Sequence, residues 1–95
     1  MNASLFVEED FVLDIDALGR ACRCEVDVIV ALVQEGVLEP HAQAPGWSFD
    51  ARMLQRARRA LRLMRDFELG PAGVALALQL LDRIELLERQ ASRTT

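Results

Sequence analysis

Residues 28–40 read VIVALVQEGVLEP, and the way this stretch ends decides the fold. Val28 to Val33 are apolar throughout, and Gln34 and Glu35 close the run. Gly36 follows, where a helix commonly ends in a left-handed residue that glycine adopts without steric cost. Val37 and Leu38 then suit a short strand, and Pro40 cannot continue a helix. Two carboxylates, Glu25 and Asp27, stand where they favour a helix start through the helix dipole. The expectation is a helix over Glu25–Glu35 that turns sharply into β structure.

Working outward, Asp14 or Asp16 can cap a short helix over Ile15–Ala21. Cys22-Arg23-Cys24 makes a tight connection to the next helix. Upstream, residues 5–13 are apolar and β-tolerant apart from Glu8, Glu9 and Asp10, which suits an edge strand. Downstream, Val37–Leu38 and Trp47–Phe49 are expected as two strands of a small wing, with EPHAQAPG (39–46) as its polar loop. Asp50 then caps a helix over Ala51–Glu68. At 100° per residue, Met53, Leu54, Ala57, Ala60, Leu61, Met64 and Phe67 share one side, opposite a run of six arginines from Arg52 to Arg65. Gly70 and Pro71 are expected to stop that helix and start the next, over Pro71–Gln90. There Val74, Ala77, Leu80, Leu81, Ile84 and Leu87 form a stripe, with Leu78 and Leu86 outside it. This apolar surplus suggests a partner helix. Leu78, Leu81, Leu86 and Leu87 are the expected dimer contacts.

Ninety-five residues suffice for one small domain with a modest core. It divides into an N-terminal segment (1–13), two short helices and wing (14–50), a two-helix extension (51–90) and a frayed tail (91–95). With four Phe and one Trp, aliphatic side chains must carry the packing. All the basic residues are Arg, and the net charge of -4 disfavours phosphate backbones unless the guanidiniums gather. No signal-peptide pattern or membrane-length apolar run is present, and the two cysteines lie too close in sequence to staple a fold. The expected location is the cytoplasm.

Three stretches resemble a known family: GVLEP (36–40), Trp47-Ser48-Phe49-Asp50 leading into the Arg-rich helix, and Arg62-Leu63, then Leu69, then GVALALQLLDRI (73–84). Together with the helix–helix–wing–helix–helix order, they resemble the chaperone-modulator CbpM family, a branch of the MerR-like helix-turn-helix proteins. The resemblance spans about Phe11 to Leu87. It implies a mainly α, MerR-like winged helix-turn-helix with a small β wing and two additional C-terminal helices. It also implies a non-catalytic modulator that binds the J-domain of a CbpA/DnaJ-type co-chaperone and blocks its stimulation of the Hsp70 DnaK. Arg23 departs from the family, whose turn often has Gly there, so a left-handed Arg23 would be mildly strained.

The alternative function is a MerR-like transcription regulator. Such activators usually carry Arg in the second helix and in the wing; here Val30, Ala31 and Trp47 stand at those positions, so guanine contacts are missing. The Arg face of the third helix reads as a solvated face. A J-domain presents a basic helix, which calls for carboxylates. Asp14, Asp16, Glu25, Asp27, Glu35 and Glu39 are therefore the expected partner-binding face, although the first three also suit capping. Trp47 is either a packed wing residue or an aromatic anchor. Cys22, Cys24 and His41 do not match structural zinc spacing and the thiols read as structural or solvent-facing, the residual alternative being redox sensing with a thiol pKa lowered by Arg20 and Arg23. No nucleophile or phosphate-loop signature occurs, and His41 reads as a loop residue. No metal, cofactor or reaction is expected.

Overall fold

The computed structural model describes residues 12–43 and 46–94. The element order is β1 (Val12–Asp14), α1 (Ile15–Cys22), α2 (Val26–Gln34), β2 (His41–Gln43), β3 (Gly46–Asp50), α3 (Ala51–Phe67) and α4 (Pro71–Thr94). The fold is mainly α, as the sequence indicates. Two of the expected caps are in place. The Asp14 carboxylate accepts from the Ala17 amide at 2.8 Å, and Asp50 accepts from Met53 at 3.0 Å. Each satisfies one of the free N–H groups of a first helical turn.

Three successive helices end in the same way. A left-handed residue (Arg23, φ 57°; Gly36, φ 79°; Glu68, φ 55°) is followed by a residue whose amide reaches five positions back. Cys24 donates to the Gly19 carbonyl at 3.0 Å, Val37 to Leu32 at 2.9 Å and Leu69 to Met64 at 2.9 Å. This is the Schellman closure, and the residue after the left-handed one turns inward. Val37 is buried, while Cys24 and Leu69 pack half-buried against the core. Only the middle closure uses glycine.

That closure corrects the expected wing. Val37 and Leu38 both donate to the Leu32 carbonyl, so their amides finish α2 instead of joining a ladder, and both side chains enter the core. The wing strands are β2 and β3, and EPHAQAPG therefore contains a strand. The sheet is antiparallel in the order β1-β3-β2, with Leu13 opposite Phe49 and His41 opposite Ser48. The edge strand expected over 5–13 is β1 from Val12 onward; residues 5–11 lie outside the described part.

The ends of α3 and α4 also differ from expectation. Glu68, not Gly70, terminates α3, while α4 starts at Pro71 as expected, the Gly70 carbonyl accepting from the Val74 amide at 2.9 Å. Phe67 is 68% exposed and lies off the core face. Helix α4 runs to Thr94, past the expected end at Gln90. Its inward face is Val74, Ala75, Leu78 and Leu81, rotated from the expected stripe. Leu78 is 0% exposed inside a single chain, which removes it from the dimer contacts. Burial of Val74, Ala75 and Leu78 fixes this phase, and at its edge Asp82 and Glu85 meet Arg56 (3.2 Å) and Arg59 (3.7 Å) of α3. Leu76, Leu80, Ile84 and Leu87 are left exposed.

Of these polar links, the half-buried Arg56 matters most. Its Nε donates to the Val37 carbonyl at 2.7 Å while its other arm holds Asp82. A charged hydrogen bond of this kind contributes about 1.5–3 kcal/mol, whereas an exposed pair such as Arg59–Glu85 contributes about 0–1. Among the described residues no helix is long and apolar enough to cross a membrane.

The closures make opposite predictions at two positions. Arg23→Gly relieves a left-handed residue with a side chain and is expected to stabilise by about 0.5–1 kcal/mol. Gly36→Ala is expected to destabilise by about 1 kcal/mol or more. Urea midpoints check both, and a shared sign would reject the account.

Candidate functional site

The α1–turn–α2 unit has the geometry of a helix-turn-helix. Its close approach depends on Gly19: a Cβ there would lie 3.1 Å from the Cys24 carbonyl oxygen. Ile29 and Leu32 point into the core, with Val28 and Val33 packed beside them. What α2 shows to solvent is Glu25 and Asp27 at one end, Gln34 and Glu35 at the other, and half-exposed Val30 and Ala31 between. No guanidinium or ammonium occurs on it.

The expected acidic residues fall into different settings. Asp14 is committed to the α1 cap. Glu25 is the N-cap residue of α2 but makes no side-chain capping bond, so its carboxylate is not used by the fold. Asp16 and Glu25 line one open groove of about 370 Å³ together with Arg20 and Arg23. Glu39 borders a separate cleft with Arg52 and Asp82. Asp27 and Glu35 stand exposed at opposite ends of α2. Among the described residues none forms an ion pair with Asp16, Glu25, Asp27, Glu35 or Glu39. Trp47 is half-buried, packed against the core and edge-on to Phe49, with ring centres 6.3 Å apart and planes at 88°. Favourable aromatic pairs prefer that geometry.

His41 is a strand residue, not a loop residue. Its Nε2 lies 3.3 Å from Asp50 Oδ2, the carboxylate whose other oxygen caps α3. The Met53 amide chiefly, and His41 secondarily, hold the Asp50 carboxyl below the usual carboxylate range. The cysteines are unactivated, which runs against a lowering of either thiol by the neighbouring arginines. Burial pushes the Cys22 thiol up, and Arg58 only partly offsets this. Cys24 is raised by burial, then by Cys22 and Glu25, so the nearby arginines do not activate either thiol. Among the described residues no three His, Cys, Asp or Glu side chains gather as a metal cluster. Sequence reasoning also missed Gly19, Arg56 and Asp82. A glycine inside a short helix was the one available signal for the first; the other two act across distant segments.

The family model of MerR HTH family regulatory proteins matches residues 13–95. The chaperone modulatory protein CbpM of Coxiella burnetii (strain Dugway 5J108-111) is 37% identical over 87 residues, covering 90% of this chain and 82% of that protein. The protein of the same name from Pseudomonas putida (strain W619) is 36% identical over 93 residues, covering 97% and 88%. That from Pseudomonas entomophila (strain L48) is 33% identical over 93 residues, with the same coverage. The chain belongs to the CbpM family. As a CbpM-family member it keeps the MerR helix-turn-helix frame while α2 carries carboxylates and aliphatic side chains on its open surface.

The Asp50 arrangement predicts an acid limb. Because folding lowers this carboxyl's pKa, its contribution is present at neutral pH and disappears as the pH falls past the ordinary Asp value of about 3.9. Asn caps helices about as well as Asp. Asp50→Asn should therefore retain most of the stability at pH 7 and flatten the decline as the pH falls below about 4 in thermal melts. An unchanged acid limb would place that decline elsewhere.

Proposed function

We propose that this chain modulates a chaperone by binding the J-domain of a CbpA/DnaJ-type co-chaperone through the carboxylates of α1, α2 and the wing. Occupying that domain keeps it from stimulating its Hsp70 partner. The observation that carries this reading is the α2 surface, which has unpaired acids at both ends and no guanidinium between them. The relatives' printed name, chaperone modulatory protein, supports the general role. A basic J-domain helix is complementary to Asp16, Glu25, Asp27, Glu35 and Glu39. Val26 and Val30, both half-exposed, offer apolar contact between the charges. In such interfaces rim charges set association rate and specificity, while apolar anchors set affinity. The exposed part of Trp47 is a further anchor in this reading. Asp14 contributes least, since the α1 cap already uses it.

Self-association is the second element of the proposal. Leu76, Leu80, Ile84 and Leu87 recur at helical spacing on the open face of α4 and replace the set expected from sequence. Of that set, Leu87 remains fully on the exposed face, with Leu81 and Leu86 at its margins. The competing function, DNA binding by the arginines of α3, lacks an arginine on α2 to read bases.

Two measurements test these statements. Asp27→Lys combined with Glu35→Lys is expected to weaken J-domain binding about five- to thirtyfold at low salt, and less at high salt, as two rim charges would. Equal affinity at both salt concentrations would reject the acidic face, and salt-sensitive binding to bulk duplex DNA would favour the regulator. In sedimentation the chain should show a concentration-dependent dimer that Leu80→Glu with Ile84→Glu abolishes. A constant monomer mass would rule the dimer out.

A further inference from the structure

We infer that Cys22, Cys24 and Met64 form a binding site for a single soft monovalent metal ion of the Cu(I) or Ag(I) type. All three line one cleft of about 310 Å³ between the α1–α2 turn and α3. Two residues apart in a continuous helix, the cysteines would point about 160° away from each other. The left-handed Arg23 interrupts the helix between them. The bond from the Cys24 amide to Gly19 then folds the chain back, so both cysteines border the same space. Met64 comes from α3 across the cleft, and both cysteines are free of disulfide.

The donor set selects the ion. Val28 and Leu61 complete the apolar wall, and no carboxylate or imidazole lines the cleft. Two thiols and a thioether are soft ligands that suit low-coordinate monovalent d10 ions, whereas a structural zinc site takes four ligands, and this cleft supplies two thiolates and a weak thioether. On binding, both S–H bonds break and their protons pass to the buffer. Two metal–thiolate bonds form and the Met64 sulfur donates a lone pair, with no change of oxidation state. The assembly of two thiolates and one monovalent cation carries a net charge of about -1. Arg23 and Arg65 on the rim, and Arg58 beside Cys22, offset that charge, while Glu25 beside Cys24 adds to it. The arginines also oppose entry of a cation while the thiols stay protonated, so uptake must release protons and must strengthen as pH rises.

Silver(I) is the direct probe, because it needs no reductant. The intact chain titrated with silver nitrate should gain one Ag and lose two protons by native mass spectrometry, with affinity that rises with pH. Removing groups that merely support metal ligands typically costs about 10–100-fold in affinity. Cys22→Ser and Cys24→Ser, which remove ligands, should each cost about a hundredfold or more, and Met64→Leu about tenfold. Met64→Leu preserves volume, so the fold should persist. Bound silver should also raise the melting temperature of the parent chain. The inference fails if Met64→Leu binds silver as tightly as the parent. It also fails if the urea-unfolded chain does so, because the Cys-Arg-Cys segment alone would then account for the binding. Equal affinity for Zn(II) would overturn the selectivity.

Discussion

The left-handed closures at Arg23, Gly36 and Glu68 set every helix direction that follows them. Each spends one backbone amide on a carbonyl five residues back and sends the next side chain toward the core. The first creates the helix-turn-helix angle, the second releases the chain toward the wing, and the third reverses it into α4. Two of the three hold a side chain in a conformation that glycine adopts more easily. Apolar burial of the following residue, Cys24 or Leu69, offsets that strain. The turns are therefore held by what comes after them, and the choice of left-handed residue is secondary.

Local signals explain which features were readable in the sequence. Asp14 and Asp50 as caps, Gly36 as a left-handed stop and Arg23 as a strained one are decided within a few residues, so composition and spacing suffice. The second wing strand, Trp47–Phe49, was readable, but the first was not, because Val37 and Leu38 have the right residue types for a strand yet use their amides to close α2. The phase of α4 was not readable either. Apolar side chains cover more of its circumference than one contact needs, so local spacing does not show that Val74, Ala75 and Leu78 are the ones that fit the core, with Asp82 and Glu85 meeting α3 arginines at its edge. For the same reason the acidic residues could be named but not grouped: they are spread over a groove, a second cleft and the two ends of α2.

Charge is divided unevenly over this surface. Helix α2 carries acids alone, α3 carries arginines, and Arg56 and Arg59 turn part of that positive charge inward to fasten α4. Arg56 has a second partner in the Val37 carbonyl, so one guanidinium joins the exit of α2 to the middle of α4. The frame of MerR HTH family members is thus kept with no guanidinium on α2. Its stability rests on aliphatic packing and a few well-placed hydrogen bonds, and the exposed face of α2 takes no part in them.

The strand order β1-β3-β2 has a consequence for biosynthesis. Val12–Asp14 leave the ribosome before any partner exists, since the strand that pairs with them, Gly46–Asp50, comes after two complete helices. During elongation α1 and α2 can close locally through Asp14, Arg23 and Gly36 while β1 stays an open edge. The sheet is completed only when β3 emerges, and α3, capped by Asp50 at the end of that strand, is committed in the same event.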